Sequence, residues 1–107
     1  MEAKMKELIL LVKELTEAKK LKWTFVGNTP NVLQAAVGHF NVRITYSGTN
    51  VTFQLIDNNK AIAAHGVSRN NDTEFNLFAL WQNAHRQTLG VDEKLDSVLE
   101  ELRKLKP

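Results

Sequence analysis

Between Leu21 and Val67 the chain alternates apolar and polar residues with a period of two, and turn-forming residues interrupt it at short intervals. Leu21, Trp23 and Phe25 alternate with Lys22 and Thr24. Val42, Ile44 and Tyr46 alternate with Arg43, Thr45 and Ser47, and Val51, Phe53 and Leu55 alternate with Thr52 and Gln54. A half-buried strand needs this pattern, because successive side chains point to opposite faces. Gly27-Asn28-Thr29-Pro30, Gly38, Ser47-Gly48-Thr49-Asn50 and Asp57-Asn58-Asn59-Lys60 supply the breaks. Connections this short allow only antiparallel neighbours, since a parallel return needs a crossover. The pattern predicts a five-stranded antiparallel meander with strands near 21–26, 32–37, 42–47, 51–55 and 61–67. Trp23, Phe25, Val42, Ile44, Val51, Phe53 and Leu55 belong on its core face. Thr24, Gln34, Arg43, Thr45, Thr52 and Gln54 belong on the other, with Ile56 and Val26 among them.

Charge flanks this middle. Residues 1–20 hold five Lys and four Glu, and residues 74–107 hold five basic and six acidic groups. Residues 21–73 hold only Lys22, Arg43, Asp57, Lys60, Arg69 and Asp72. Met5, Leu8, Ile9, Val12 and Leu15 follow one helical face, predicting a first helix over 3–19, while Leu10 and Leu11 widen its apolar surface. Asn71 and Glu74 have capping-box spacing ahead of a second stripe of Phe75, Phe78, Trp81, Ala84, His85 and Thr88, widened by Leu77 and Leu80. Gly90 suits the end of that helix, and Asp92 the N-cap of a third with the stripe Leu95, Val98, Leu99, Leu102 and Leu105. The expected fold is a single α+β domain over 1–107. It has an N-terminal helix, the meander, and two C-terminal helices packed on one sheet face. At 107 residues, a chain of this composition has enough apolar content for a core without staples.

Two stretches carry a resemblance. Leu15-Thr16-Glu17 with Lys20-Leu21-Lys22-Trp23, and Leu89-Gly90-Val91-Asp92-Glu93-Lys94-Leu95 leading into Leu99-Glu100-Glu101-Leu102, resemble a family of short bacterial proteins and accessory domains with no assigned function. Its members join an N-terminal helix to a "KLKW" strand, a meander and an "LGVDE-L" helical tail. Many carry an acidic residue after the tryptophan, where this chain has Thr24. The resemblance implies the same α+β architecture and brings no catalytic residue with it.

Chemistry is sparse. Absence of cysteine excludes disulfides, thiolate nucleophiles and Cys-ligated metals. His39, His65 and His85 lack short-range metal spacing. A metal site would require His65 and His85 to converge with Asp57 or Asp72. Ser47, Ser68 and Ser97 lie outside any nucleophile elbow, and the isolated glycines form no phosphate-cradling loop. Asp92, Glu93 and Asp96 open a helix, where negative charge complements the dipole. No catalytic activity, cofactor or metal is expected. The apolar run Leu8–Val12 is too short for a membrane span or a secretory core, so the expected compartment is the cytoplasm.

The leading expectation is therefore a non-enzymatic protein-interaction module with a protein partner or a second copy of itself. It would use the low-charge outer sheet face at Arg43, Thr45, Thr52 and Gln54, or an edge strand. The extra apolar surface of Leu10, Leu11, Leu77 and Leu80 is expected either to complete a three-helix layer or to form a homodimer interface. One alternative is weak, sequence-tolerant nucleic-acid binding through Lys19, Lys20, Lys22 and Arg43. The net charge of +2 and the acidic start of the last helix count against it. Another is a small ligand held between sheet and helices near Trp23, Tyr46 and Trp81.

Overall fold

Asn58 and Asn59 both adopt left-handed backbone, with φ of 51° and 65°, and close the β4–β5 hairpin as a two-residue turn. Asparagine tolerates that region, and such turns match the twist of the strands they join. The computed structural model describes residues 3–106, and repeated tight turns make its sheet a pure meander, ordered β1-β2-β3-β4-β5. The strands are β1 (Trp23–Val26), β2 (Thr29–Val37), β3 (Phe40–Tyr46), β4 (Asn50–Asp57) and β5 (Lys60–Ser68). Helix α1 (Ala3–Glu17) precedes them. A short 3-10 turn (Arg69–Asn71), α2 (Leu77–Leu89) and α3 (Val91–Leu105) follow. The α+β architecture is the one expected.

Register sets the two faces. Trp23 lies opposite Ala35, Leu33 opposite Ile44, Val42 opposite Leu55 and Ile44 opposite Phe53, all on the inner face. With Ile9 and Val12 from α1 and Leu77, Leu80 and Ala84 from α2 they form the buried core. Polar cross-links fasten the helices to it. The Trp23 indole donates to Thr16 at 3.1 Å, Gln87 donates to the Thr16 carbonyl at 2.8 Å, and Thr88 donates to the Trp23 carbonyl at 3.2 Å. The Trp81 indole donates to the Asn31 carbonyl at 3.0 Å, and Lys13 donates to the Phe75 carbonyl.

Several local expectations shift. β2 begins at Thr29, so the first hairpin turns on Gly27-Asn28 alone and Pro30 lies within the strand. Helix α1 ends at Glu17, because Lys19 adopts φ 58° and the Lys20 amide turns back to the Leu15 carbonyl. Phe75 is buried ahead of α2 instead of inside it. Asn76 is the N-cap, and the two Asp72 carboxylate oxygens accept from the Leu77 and Phe78 amides at 2.8 Å each, in place of the Asn71–Glu74 box. Thr16, absent from the predicted stripe, is fully buried, whereas Leu15 is partly exposed. Ile56 is 2% exposed despite its outer-face register, next to a bulge in the β4–β5 ladder.

The helices share the core unequally. α1 and α2 contribute every buried helical residue, and α3 contributes none. Its contacts run mainly to α2. The molecule measures 59 × 32 × 26 Å with a radius of gyration of 16.0 Å, against about 13 Å for a compact chain of 100 residues. A 15-residue helix is about 22 Å long, and α3 extending from the body accounts for the elongation.

Candidate functional site

A single glycine sets the direction of α3. Gly90, at φ 63° and ψ 40°, ends α2 with its amide bonded to the Arg86 and Gln87 carbonyls, and its own carbonyl accepts from Lys94 in the first turn of α3. Left-handed backbone is inexpensive only without a Cβ. Gly90 thus serves as both C-cap and N-cap, and Asp92, expected as the N-cap, lies in the first turn instead. The Arg86 guanidinium grips Asp92 Oδ1 from Nε at 3.2 Å and Nη2 at 2.7 Å, while Lys19 Nζ stands 3.8 Å from Oδ2. The bond from Arg86 and its positive charge hold the Asp92 carboxyl below the usual carboxylate range, with Lys19 adding to the effect. This corner ties α3 to α2 and to the end of α1.

Beyond the corner α3 presents an uncovered apolar stripe. Leu95, Val98, Leu99, Leu102 and Leu105 are between 46% and 80% exposed. Val91, Leu95, Val98, Leu102 and Leu105 recur at alternating intervals of four and three, the narrow seam of a helix that pairs with another helix. The rest of the helix carries five acidic and three basic residues, acidic at its start (Asp92, Glu93) and basic at its end (Arg103, Lys104). Separate leucines, Leu10 and Leu11, are about half exposed on α1. Leu77 and Leu80 are buried core residues of α2 and contribute nothing to an interface.

The outer sheet face is placed as expected but is largely satisfied within the chain. Arg43 donates from Nε and Nη2 to Gln34 Oε1 at 3.1 and 2.7 Å. Gln54 lies opposite Arg43 and Thr52 opposite Thr45, all four half-buried in the middle of the sheet. Lys19, Lys20 and Lys22 gather on the helix side, lining a shallow depression with Trp23, Gln87 and Thr88. Arg43 points from the opposite face, so the four basic residues do not form one strip.

The histidines do not converge. His65 meets the Phe75 ring edge-on at 5.7 Å, and His85 stacks on Trp81 at 4.7 Å with Phe25 at its edge. Among the described residues no group of three metal-ligating side chains comes together. Trp23 is buried, and Tyr46 packs on Trp81 at 5.1 Å. Arg69 completes the aromatic cluster, its guanidinium 3.9 Å above the Phe78 ring and Nη1 donating to the Tyr46 hydroxyl at 3.3 Å. An open groove of about 600 Å³ runs between α1 and β5, lined by Met5, Leu8, Leu55 and Ala63 with Lys4 and His65 as its polar groups.

The exposure of the α3 stripe is a feature that the sequence reading did not register. The available signal was its spacing: a helix lying on a sheet shows a broad apolar face, whereas α3 carries a narrow four-three seam with only Leu99 beside it. Among the described residues no helix is long and apolar enough to cross a membrane. No protein-family model, curated protein or solved structure matches the chain.

Proposed function

We propose that this chain is a non-enzymatic protein-interaction module whose contact element is α3. One observation carries the reading: a projecting 15-residue helix with a continuous apolar stripe buries none of its residues. Isolated helices of that length are marginal in water, and most helices are stabilised by burying an amphipathic face. Soluble monomers rarely leave contiguous apolar surface of this kind uncovered. The excess of acidic residues on α3 opposes both a nucleic-acid backbone and an anionic lipid surface, which leaves protein as the matching chemistry. The outer sheet face is the weaker candidate, because Arg43 is already engaged by Gln34.

A photo-crosslinking amino acid placed at Leu99, and separately at Gln54, in cells expressing the chain tests this. Discrete protein adducts from position 99 and none from 54 are the expected result. Adducts from 54 alone, or from neither position, would overturn the reading.

A further inference from the structure

We infer that the occupant of the α3 stripe is α3 of a second copy of this chain, packed antiparallel about a twofold axis near Glu100. The inference rests on the reading of α3 as the contact element and adds the identity and orientation of its partner.

The part of the stripe from Leu95 to Leu105 is symmetric about its midpoint. Leu95 and Leu105 lie five residues either side of position 100, and Val98 and Leu102 two residues either side. An antiparallel pair therefore sets Leu95 against the partner's Leu105 and Val98 against the partner's Leu102, leaving only Val91, at the Gly90 corner, without an opposite. Leu99 of each copy then flanks the axis.

Charge selects the orientation. Asp92, Glu93 and Asp96 open the helix with Lys94 as the one basic residue among them, while Arg103, Lys104 and Lys106 lie at its end. Antiparallel packing brings the acidic start of each helix to the basic end of the other, with Asp92 near the partner's Lys106 and Asp96 on the same flank as the partner's Arg103. Parallel packing would instead set the two acidic starts side by side. The like pair that antiparallel packing creates near the axis, Glu101 facing the partner's Glu101, is moderated because Lys104 of the same helix stands 3.3 Å from Glu101. The same charge order suits the helix dipole, so by itself it says nothing about pairing. The uncovered stripe calls for a partner, and the charge order makes a second copy complementary. Twofold closure buries the same patch on both subunits and leaves no repeating surface for further growth.

The chain has no cysteine, so single introduced thiols report orientation without background. Leu95→Cys and Leu105→Cys variants are prepared separately, one carrying a mass tag, and oxidised alone and as an equal mixture. Antiparallel pairing holds identical positions about 15 Å apart, beyond the roughly 7 Å Cα separation a disulfide spans. The expected result is little disulfide in either variant alone and a Leu95→Cys/Leu105→Cys heterodimer in the mixture. Leu102→Asp in the same background should abolish the heterodimer and leave the thermal unfolding of dilute protein unchanged. Homodimers of each variant alone would establish parallel pairing and overturn the inference. So would a monomer in sedimentation up to millimolar concentration with no cross-link in the mixture. If position 99 cross-links only to a different protein, the α3 reading stands and the second-copy inference falls.

Discussion

The Trp23 indole N–H donates to the Thr16 hydroxyl at 3.1 Å, and that hydroxyl donates to the Val12 carbonyl one turn back at 2.7 Å. Both side chains are buried, so this relay is how α1 and β1 satisfy their polar atoms where they meet.

Thr16→Val keeps the shape of the side chain and removes the acceptor. The Trp23 N–H is then buried without a partner, which costs about 1–3 kcal/mol. Urea denaturation followed by tryptophan fluorescence should show a lower midpoint with an unchanged slope.

Leu77 and Leu102 differ in surroundings more than in chemistry. Leu77→Ala opens a cavity in the core and should cost about 2–5 kcal/mol. Leu102 is 57% exposed, and Leu102→Ala in dilute protein should stay within about 0.5 kcal/mol of the parent. A loss of several kcal/mol at Leu102 would mean that α3 is folded against the body.

Asp72 caps α2 from outside the helix through both carboxylate oxygens. Asp72→Ala leaves two amides at the helix start without an acceptor and should cost about 1–2 kcal/mol. Asp72→Asn, which retains one acceptor oxygen, should recover part of that loss in the same thermal unfolding series.

The corner at Gly90 responds to backbone freedom. A Cβ there would meet only Glu93 Oε2, at 3.6 Å, so space is available and the cost of Gly90→Ala is conformational. A left-handed alanine costs about 1–2 kcal/mol. Because α3 adds nothing to the core, the loss should appear as faster amide exchange in α3 while the sheet amides stay protected.

Acidification should loosen the same corner. Arg86 depresses the Asp92 carboxyl in the folded state, so its contribution is complete above the unfolded carboxylate value near 3.9 and is lost as pH falls through the lower folded value. The Asp92 side-chain carboxyl resonance should titrate below the ordinary aspartate value near 3.9. Arg86→Gln should move its midpoint up toward that ordinary value.

Much of the architecture was legible because it rests on local periodicity. The alternation through Val42–Tyr46 and Val51–Leu55 fixes which side chains share a face, and left-handed Asn58-Asn59 shows why so short a turn returns the chain antiparallel. Helix starts were less legible. Asp72 reaches over four intervening residues to cap α2, and no pattern of adjacent residues records a contact that depends on how the loop folds. The candidate site was legible as a stripe with narrow four-three spacing, but whether the body left it uncovered was not.

Strand order, the two faces of the sheet, the α+β class and the amphipathic character of all three helices follow from the sequence alone, because side-chain period and turn chemistry are properties of neighbouring residues. Tertiary structure alone decided which amphipathic helices find a surface. Leu77 and Leu80 sink into the same core as Ile44 and Phe53, while the equally apolar Leu95 and Leu102 lie beyond the Gly90 corner, where the sheet's inner face is already occupied by α1 and α2. A buried leucine and an exposed one can have the same local sequence, because burial depends on what the rest of the chain has already covered.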